Sequence, residues 1–236
     1  MAFSLSHPLS LLACSALLAG AAHAQQLPAP GDIAARVAPC MSCHGKEGRA
    51  ASDGYYPRIA GKPAGYLANQ LINFRDGLRR QYPLMTYTVQ HLSDDYLHEM
   101  ARFFADQRLP YPPPQRVEAS ADTLARGRAL VLQGDAQRGI PACIACHGKT
   151  LTGVAPAIPG LLGLPRDYLN SQFGAWREGT RRAAAPDCMG EITRQLNVDD
   201  ISAVTAWLAT QPVPTDSAPA PAASVRLPVA CGSVPG

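Results

Sequence analysis

The chain has 236 residues, with 21 Lys and Arg against 18 Asp and Glu and a formal net charge of +3. So small an excess, with no aromatics interleaved along a basic stripe, speaks against a nucleic-acid surface and implies no attraction to an anionic membrane. The length suits two small domains better than one.

Taken in order, the chain opens with an apolar run over 11–19, then Ala22-His23-Ala24, a small-x-small cleavage site ahead of Gln25. This predicts a secretory signal peptide over 1–24. The run is too short for a membrane span, and no later apolar run could serve as an anchor. Leu11-Leu12-Ala13-Cys14 also has the look of a lipoprotein acylation box, though the apolar run before it would be very short. The n-region lacks Lys and Arg. Export places the mature chain in the bacterial periplasm, an oxidising compartment where lone thiols are not expected.

A short helix is expected over 32–37, directly before Cys40-Met41-Ser42-Cys43-His44. The C-x-x-C-H pattern is an attachment site for c-type haem: both thiols form thioethers to vinyl groups, and the adjacent histidine reaches the iron. It recurs at Cys143-Ile144-Ala145-Cys146-His147. Two covalently bound haem c groups are therefore expected, with His44 and His147 as iron ligands. Four haem propionates bring about −4 and each ferric centre returns about +1, so the loaded protein should be close to neutral.

The surrounding chain repeats too. Tyr56-Pro57-Arg58-Ile59-Ala60-Gly61 and Ile158-Pro159-Gly160-Leu161-Leu162-Gly163 share an apolar-Pro-x-apolar-x-Gly loop. A proline carbonyl can accept from the far ring nitrogen of a ligating histidine and fix its orientation, the role expected of Pro57 and Pro159; a plain turn proline is the competing reading. Next comes an amphipathic helix in each half, with Leu67, Leu71, Phe74 and Leu78, or Leu169, Phe173 and Trp176, at helical spacing. Arg75, Arg79 and Arg80, and Arg177, Arg181 and Arg182, fall on the opposite faces. A solvated face is the plain reading for them, with an arginine or two pairing with a propionate as the other. Each half closes with a capped helix, begun by Ser93 before Asp94-Asp95 or by Asn197 before Asp199-Asp200.

A repeat of about a hundred residues means two copies of one domain. The expected boundaries are 25–108 for the first, 109–115 for a Pro-rich, extended linker, 116–212 for the second and 213–236 for a Pro/Ala-rich tail without regular structure. The second copy is entered by a longer helix from 121, which breaks at Gly134 and Gly139-Ile140-Pro141.

What fills the sixth iron position separates carriers from catalysts. Met85 and Met189 stand at nearly equal distances after His44 and His147, in the loop before each closing helix. Methionine opposite histidine saturates the iron and raises its potential. A lone Met there would more often be core filler, and the matched placement is what favours the ligand reading. Met100, His91 and His98 face Val204, Gln195 and Ser202 in the other half, so none recurs. Cys188, beside Met189, is the rival at the second iron; a cysteine ligand would lower the potential and point to catalysis. Cys188 and Cys231 are the two mature cysteines outside the motifs. Their pairing as a disulfide that ties down the tail, worth roughly 4 kcal/mol in the loop-entropy model, is preferred.

Together, two C-x-x-C-H-G domains, each followed by the Pro-x-apolar-x-Gly loop, a Tyr-Leu-x-x-Gln helix (Tyr66 and Gln70, Tyr168 and Gln172) and a Met before the closing helix, resemble the dihaem cytochrome c4 family. The resemblance implies an all-α fold of two tandem class I cytochrome c domains, packed about a pseudo-twofold axis with the haems near each other. It also implies a periplasmic one-electron carrier whose partners are redox proteins: a terminal oxidase, a respiratory complex or a periplasmic dehydrogenase. The short first helix and the Cys188/Cys231 pair depart from the pattern. On this reading there is no catalytic residue and no small-molecule substrate, and peripheral membrane association stays open. The alternatives are a dihaem enzyme, peroxidase-like or thiosulfate-oxidising, with one iron open or cysteine-ligated, and a bound electron-accepting subunit of a periplasmic dehydrogenase. A zinc module would not explain the matched methionines, and a thioredoxin-like dithiol needs a βαβ setting that is absent.

Overall fold

The computed structural model describes Met1, residues 31–50 and residues 54–234. Apart from Met1, the predicted leader and its cleavage site lie outside the described residues. Asp32 starts the first helix, α1 (Ile33–His44), its side chain accepting from the Ala34 backbone at 3.1 Å. The helix does not end at residue 37. It gives up one backbone bond at Pro39, continues through both cysteines and stops at Gly45, whose φ of 74° is the left-handed conformation that glycine tolerates.

The first domain is completed by α2 (Ala64–Arg75), α3 (Pro83–Val89) and α4 (Asp94–Ala105). Ser93 caps α4, accepting from the Tyr96 backbone at 3.3 Å. Helix α2 packs on α4, and Val37, Leu67, Phe74, Leu97, Met100 and Phe104 fill the space between α1, α2 and α4. Met100 is thus core filler.

The second domain builds the same shape from more pieces. Helix α5 (Ala121–Gln133) ends at Gly134, and the haem motif occupies a separate short helix, α6 (Cys143–His147). The intervening chain folds back through paired backbone bonds between Asp135 and Ile140. Where α5 crosses α9 (Val198–Ala209), a Cβ on Gly127 would collide with the Ala203 carbonyl, so only glycine permits this approach. Between them lie α7 (Arg166–Arg177), α8 (Cys188–Gln195) and a small antiparallel pair, β1 (Gly153–Val154) with β2 (Ile158–Pro159), the one departure from an all-α fold among the described residues. Leu130, Val131, Leu169, Val204 and Leu208 form the second core.

The domains meet about a local two-fold. After α2 and α7 the chain reverses at Gly77 and Gly179, and the two reversals pair: Arg80 N–H donates to the Thr180 carbonyl and Arg182 N–H to the Leu78 carbonyl, both at 2.7 Å. Over the 109–115 stretch, the buried Arg58 guanidinium donates to the carbonyls of Leu109 and Pro110 at 2.6 and 3.0 Å and stacks on Tyr111 at 3.9 Å. The stretch 213–234 contains no helix, and it is docked along its length. Ala220 bonds Gly153 and Ala155, the Thr152 hydroxyl donates to the Ala218 carbonyl, and Ser233 accepts from Asn69 of the first domain at 2.9 Å.

Candidate haem sites

Both motif histidines are buried, and the loops that follow determine how their rings lie. Nδ1 of His44 lies 2.9 Å from the Pro57 carbonyl oxygen, and Nδ1 of His147 lies 2.7 Å from that of Pro159. A carbonyl only accepts, so each Nδ1 carries the proton and each Nε2 keeps its lone pair for a metal. Burial lowers the pKa of both rings, against the carbonyl bonds that raise it, which favours the neutral imidazole an iron requires.

In the second domain, one cavity is lined by Cys143, Cys146 and His147 together with Met189, Leu169 and Phe173. Burial pushes the Cys143 thiol up to about 12 and raises Cys146 as well, so neither behaves as a free reactive thiolate. In the first domain burial likewise raises Cys40. Met85 and Met189 lie not in loops but on the first turns of α3 and α8, both partly buried. Pro83 starts α3. Asp187 starts α8, accepting from Gly190 N–H at 2.9 Å and Ala183 N–H at 3.0 Å, which fixes the turn that carries Met189. Cys188 is disulfide-bonded to Cys231 and has no thiolate to offer a metal. The bond brings Leu227 and Val229 of the tail to the cavity wall.

The domain boundary holds what helical spacing did not reveal. Arg79 and Arg181, read from the sequence as members of solvated faces, are 4 % and 5 % exposed. The turns at Gly77 and Gly179 carry them past the helix ends and under the interface. Arg79 donates to Gln70 at 3.0 Å and across the boundary to Gln172 at 2.7 Å; Arg181 donates to Gln172 at 2.8 Å and across to Gln70 at 3.1 Å. The signal was present in the sequence: Gln70 and Gln172, Arg79 and Arg181, and Tyr66 and Tyr168 all recur at one offset. Arg58 and Lys62, 3 % and 8 % exposed, complete a group of four buried cations. Their partners are amides, phenols, rings and carbonyls, and no carboxylate among the described residues pairs with them. Buried positive charge without an anion is costly. Haem propionates are anions, so these residues fit a group that would bring negative charge to the boundary.

Two covalent-attachment motifs and two oriented histidines on a duplicated helical fold define a dihaem c-type cytochrome. No protein-family model matches the chain. The chain is 35% identical to a thiosulfate dehydrogenase electron acceptor of Stutzerimonas stutzeri over 81% of this chain and 87% of that protein. It is 33% identical to cytochrome c4 of Pseudomonas aeruginosa over 81% of this chain and 92% of that protein. The crystal structure of reduced recombinant cytochrome c4 from Pseudomonas stutzeri superposes with a TM-score of 0.63 at 27% identity, covering 74% of this chain and 94% of that one. The chain belongs to the cytochrome c4 family; it carries two covalently bound haem c groups and serves as an electron carrier between redox proteins.

Proposed function

We propose that the protein passes single electrons through two six-coordinate irons, held by His44 and Met85 in the first domain and by His147 and Met189 in the second, without substrate chemistry. Cys40, Cys43, Cys143 and Cys146 form the thioethers, and Pro57 and Pro159 hold the imidazoles. When bound, each haem supplies an iron that alternates between ferric and ferrous. The observation that carries the reading is the matched pair of histidines, each held by a proline carbonyl, with a partly buried methionine on a short helix in each half. The rest of the chain keeps these groups still and dry. The domain boundaries are those read from the sequence, and the protein works in the periplasm after loss of residues 1–24.

For the partner, the reading is an electron-accepting role toward a periplasmic dehydrogenase, supported by the 35% identity to a protein named as a thiosulfate dehydrogenase electron acceptor. Mixing the ferric holoprotein with thiosulfate and a separate thiosulfate dehydrogenase should reduce both haems, and thiosulfate alone should reduce neither. Reduction by thiosulfate alone would make the chain an enzyme. Failure of the dehydrogenase to reduce it would remove the acceptor role.

A further inference from the structure

The two halves match closely around one position where their chemistry differs. Gly61-Lys62-Pro63 of the first half stands in register with Gly163-Leu164-Pro165 of the second, as Tyr66 and Tyr168 do just beyond. Leu164 is buried in its own core, as an apolar residue should be. Lys62 is 8 % exposed and cannot have been placed there for packing alone, since a buried ammonium without an anion is costly. The Gly61 N–H donates to the Phe104 carbonyl at 2.9 Å, pinning the turn to the end of α4. From there Lys62 reaches the wall of the second domain's cavity, which it shares with His147, Pro159 and Gly160. Its charged surroundings are Arg58, Arg79 and Arg181, with the Tyr66 phenol beside it, and no carboxylate among the described residues pairs with it.

We propose that Lys62, supplied by the first domain, holds a propionate of the second haem from across the boundary and raises that haem's reduction potential. A fixed positive charge disfavours the ferric iron, which carries the extra positive charge, and so favours the ferrous state. The second haem is then completed by a residue of the other domain, with no reciprocal lysine at Leu164. A unit charge in such surroundings is worth about a tenfold change in the one-electron equilibrium, or about 59 mV.

The inference rests on the two-haem His/Met reading, and the test separates the two. In the holoprotein, the potential of each haem is followed by NMR through the methyl signal of its methionine. Lys62→Met should lower the second haem's potential by about 59 mV, the tenfold change above, and leave the first nearly unmoved. Lys62→Arg should keep the wild-type value. Lys62→Gln, which retains polarity without charge, should repeat the Met result and guards against a folding defect in the apolar variant. A first-haem shift equal to or larger than that of the second, unchanged potentials in both neutral variants, or a matching fall in Lys62→Arg would each overturn the proposal. If the wild type lacked shifted methionine methyls altogether, the ligand reading would fail instead.

Discussion

The two domains hold their histidines alike and enclose them differently. In the first, α3 presents Leu84 and Tyr87 to solvent beside Met85, 58 % and 73 % exposed. In the second, the helix that carries Met189 is bonded through Cys188 to a tail whose Leu227 and Val229 reach the cavity wall. The second domain also buries Asp200 completely, where it receives Arg126 and Arg138 and closes a capping box on Asn197. The side chain of the corresponding first-domain cap, Ser93, makes a single bond to its helix, to the Tyr96 backbone. A duplicated fold has kept the proline hold on its histidines and changed its enclosure, with the second copy relying on contacts between residues distant in sequence.

That contrast can be broken from either side. The largest effect should come from the axial methionines. Met85→Ala or Met189→Ala should each lower one potential on the order of tenths of a volt and spare the other, as read by potentiometric titration. Next is the staple: Cys231→Ser should destabilise the second domain by about 4 kcal/mol and the first far less, seen in denaturant titrations followed at each haem. Protease digestion should then release the tail.

A smaller loss, about 2 kcal/mol, is expected for Asp200→Asn, because the arginines it binds are themselves partly exposed. Burial raises the Asp200 carboxyl, but bonds from Arg138, the Asn197 backbone and Arg126 outweigh it, and the net pKa is lowered. A lowered folded-state value contributes stability that is fully present above the unfolded pKa of about 3.9 and disappears as pH falls through the folded value. Acid titration of the second domain should therefore lose this contribution below about pH 4 in the wild type and show no such step in Asp200→Asn. Smallest is Gln172→Ala, about 1 kcal/mol; it leaves Arg79 and Arg181 short of an acceptor and should disturb both domains, because Gln172 accepts from one arginine of each.

Much of this arrangement is legible in the chain because the ligand motifs, the proline loops and the helix caps are local and recur at nearly the same spacing. The all-α fold follows from the family resemblance that these motifs carry. What escapes a local reading depends on residues brought together over long distances. Arg79 and Arg181 lie on the outer face if their helices are continued by periodicity, but glycine turns end those helices first and fold the arginines inward. Asp200 reads as an acid at the positive end of a helix; only the arrival of Arg126 on α5 and Arg138 beyond it makes it a buried anchor. The first helix is expected to stop at residue 37, before the haem motif, yet it runs on through both cysteines with Val37 packed in the core.

The central claim is that both irons are closed by methionine sulfur. The direct measurement is absorption of the ferric holoprotein at the sulfur-to-iron charge-transfer band, normalised to haem content, for the wild type and for Met85→Ala and Met189→Ala. The account predicts a full two-haem intensity that halves in each variant. An unchanged band in either variant, or a wild-type intensity for one haem only, would contradict it.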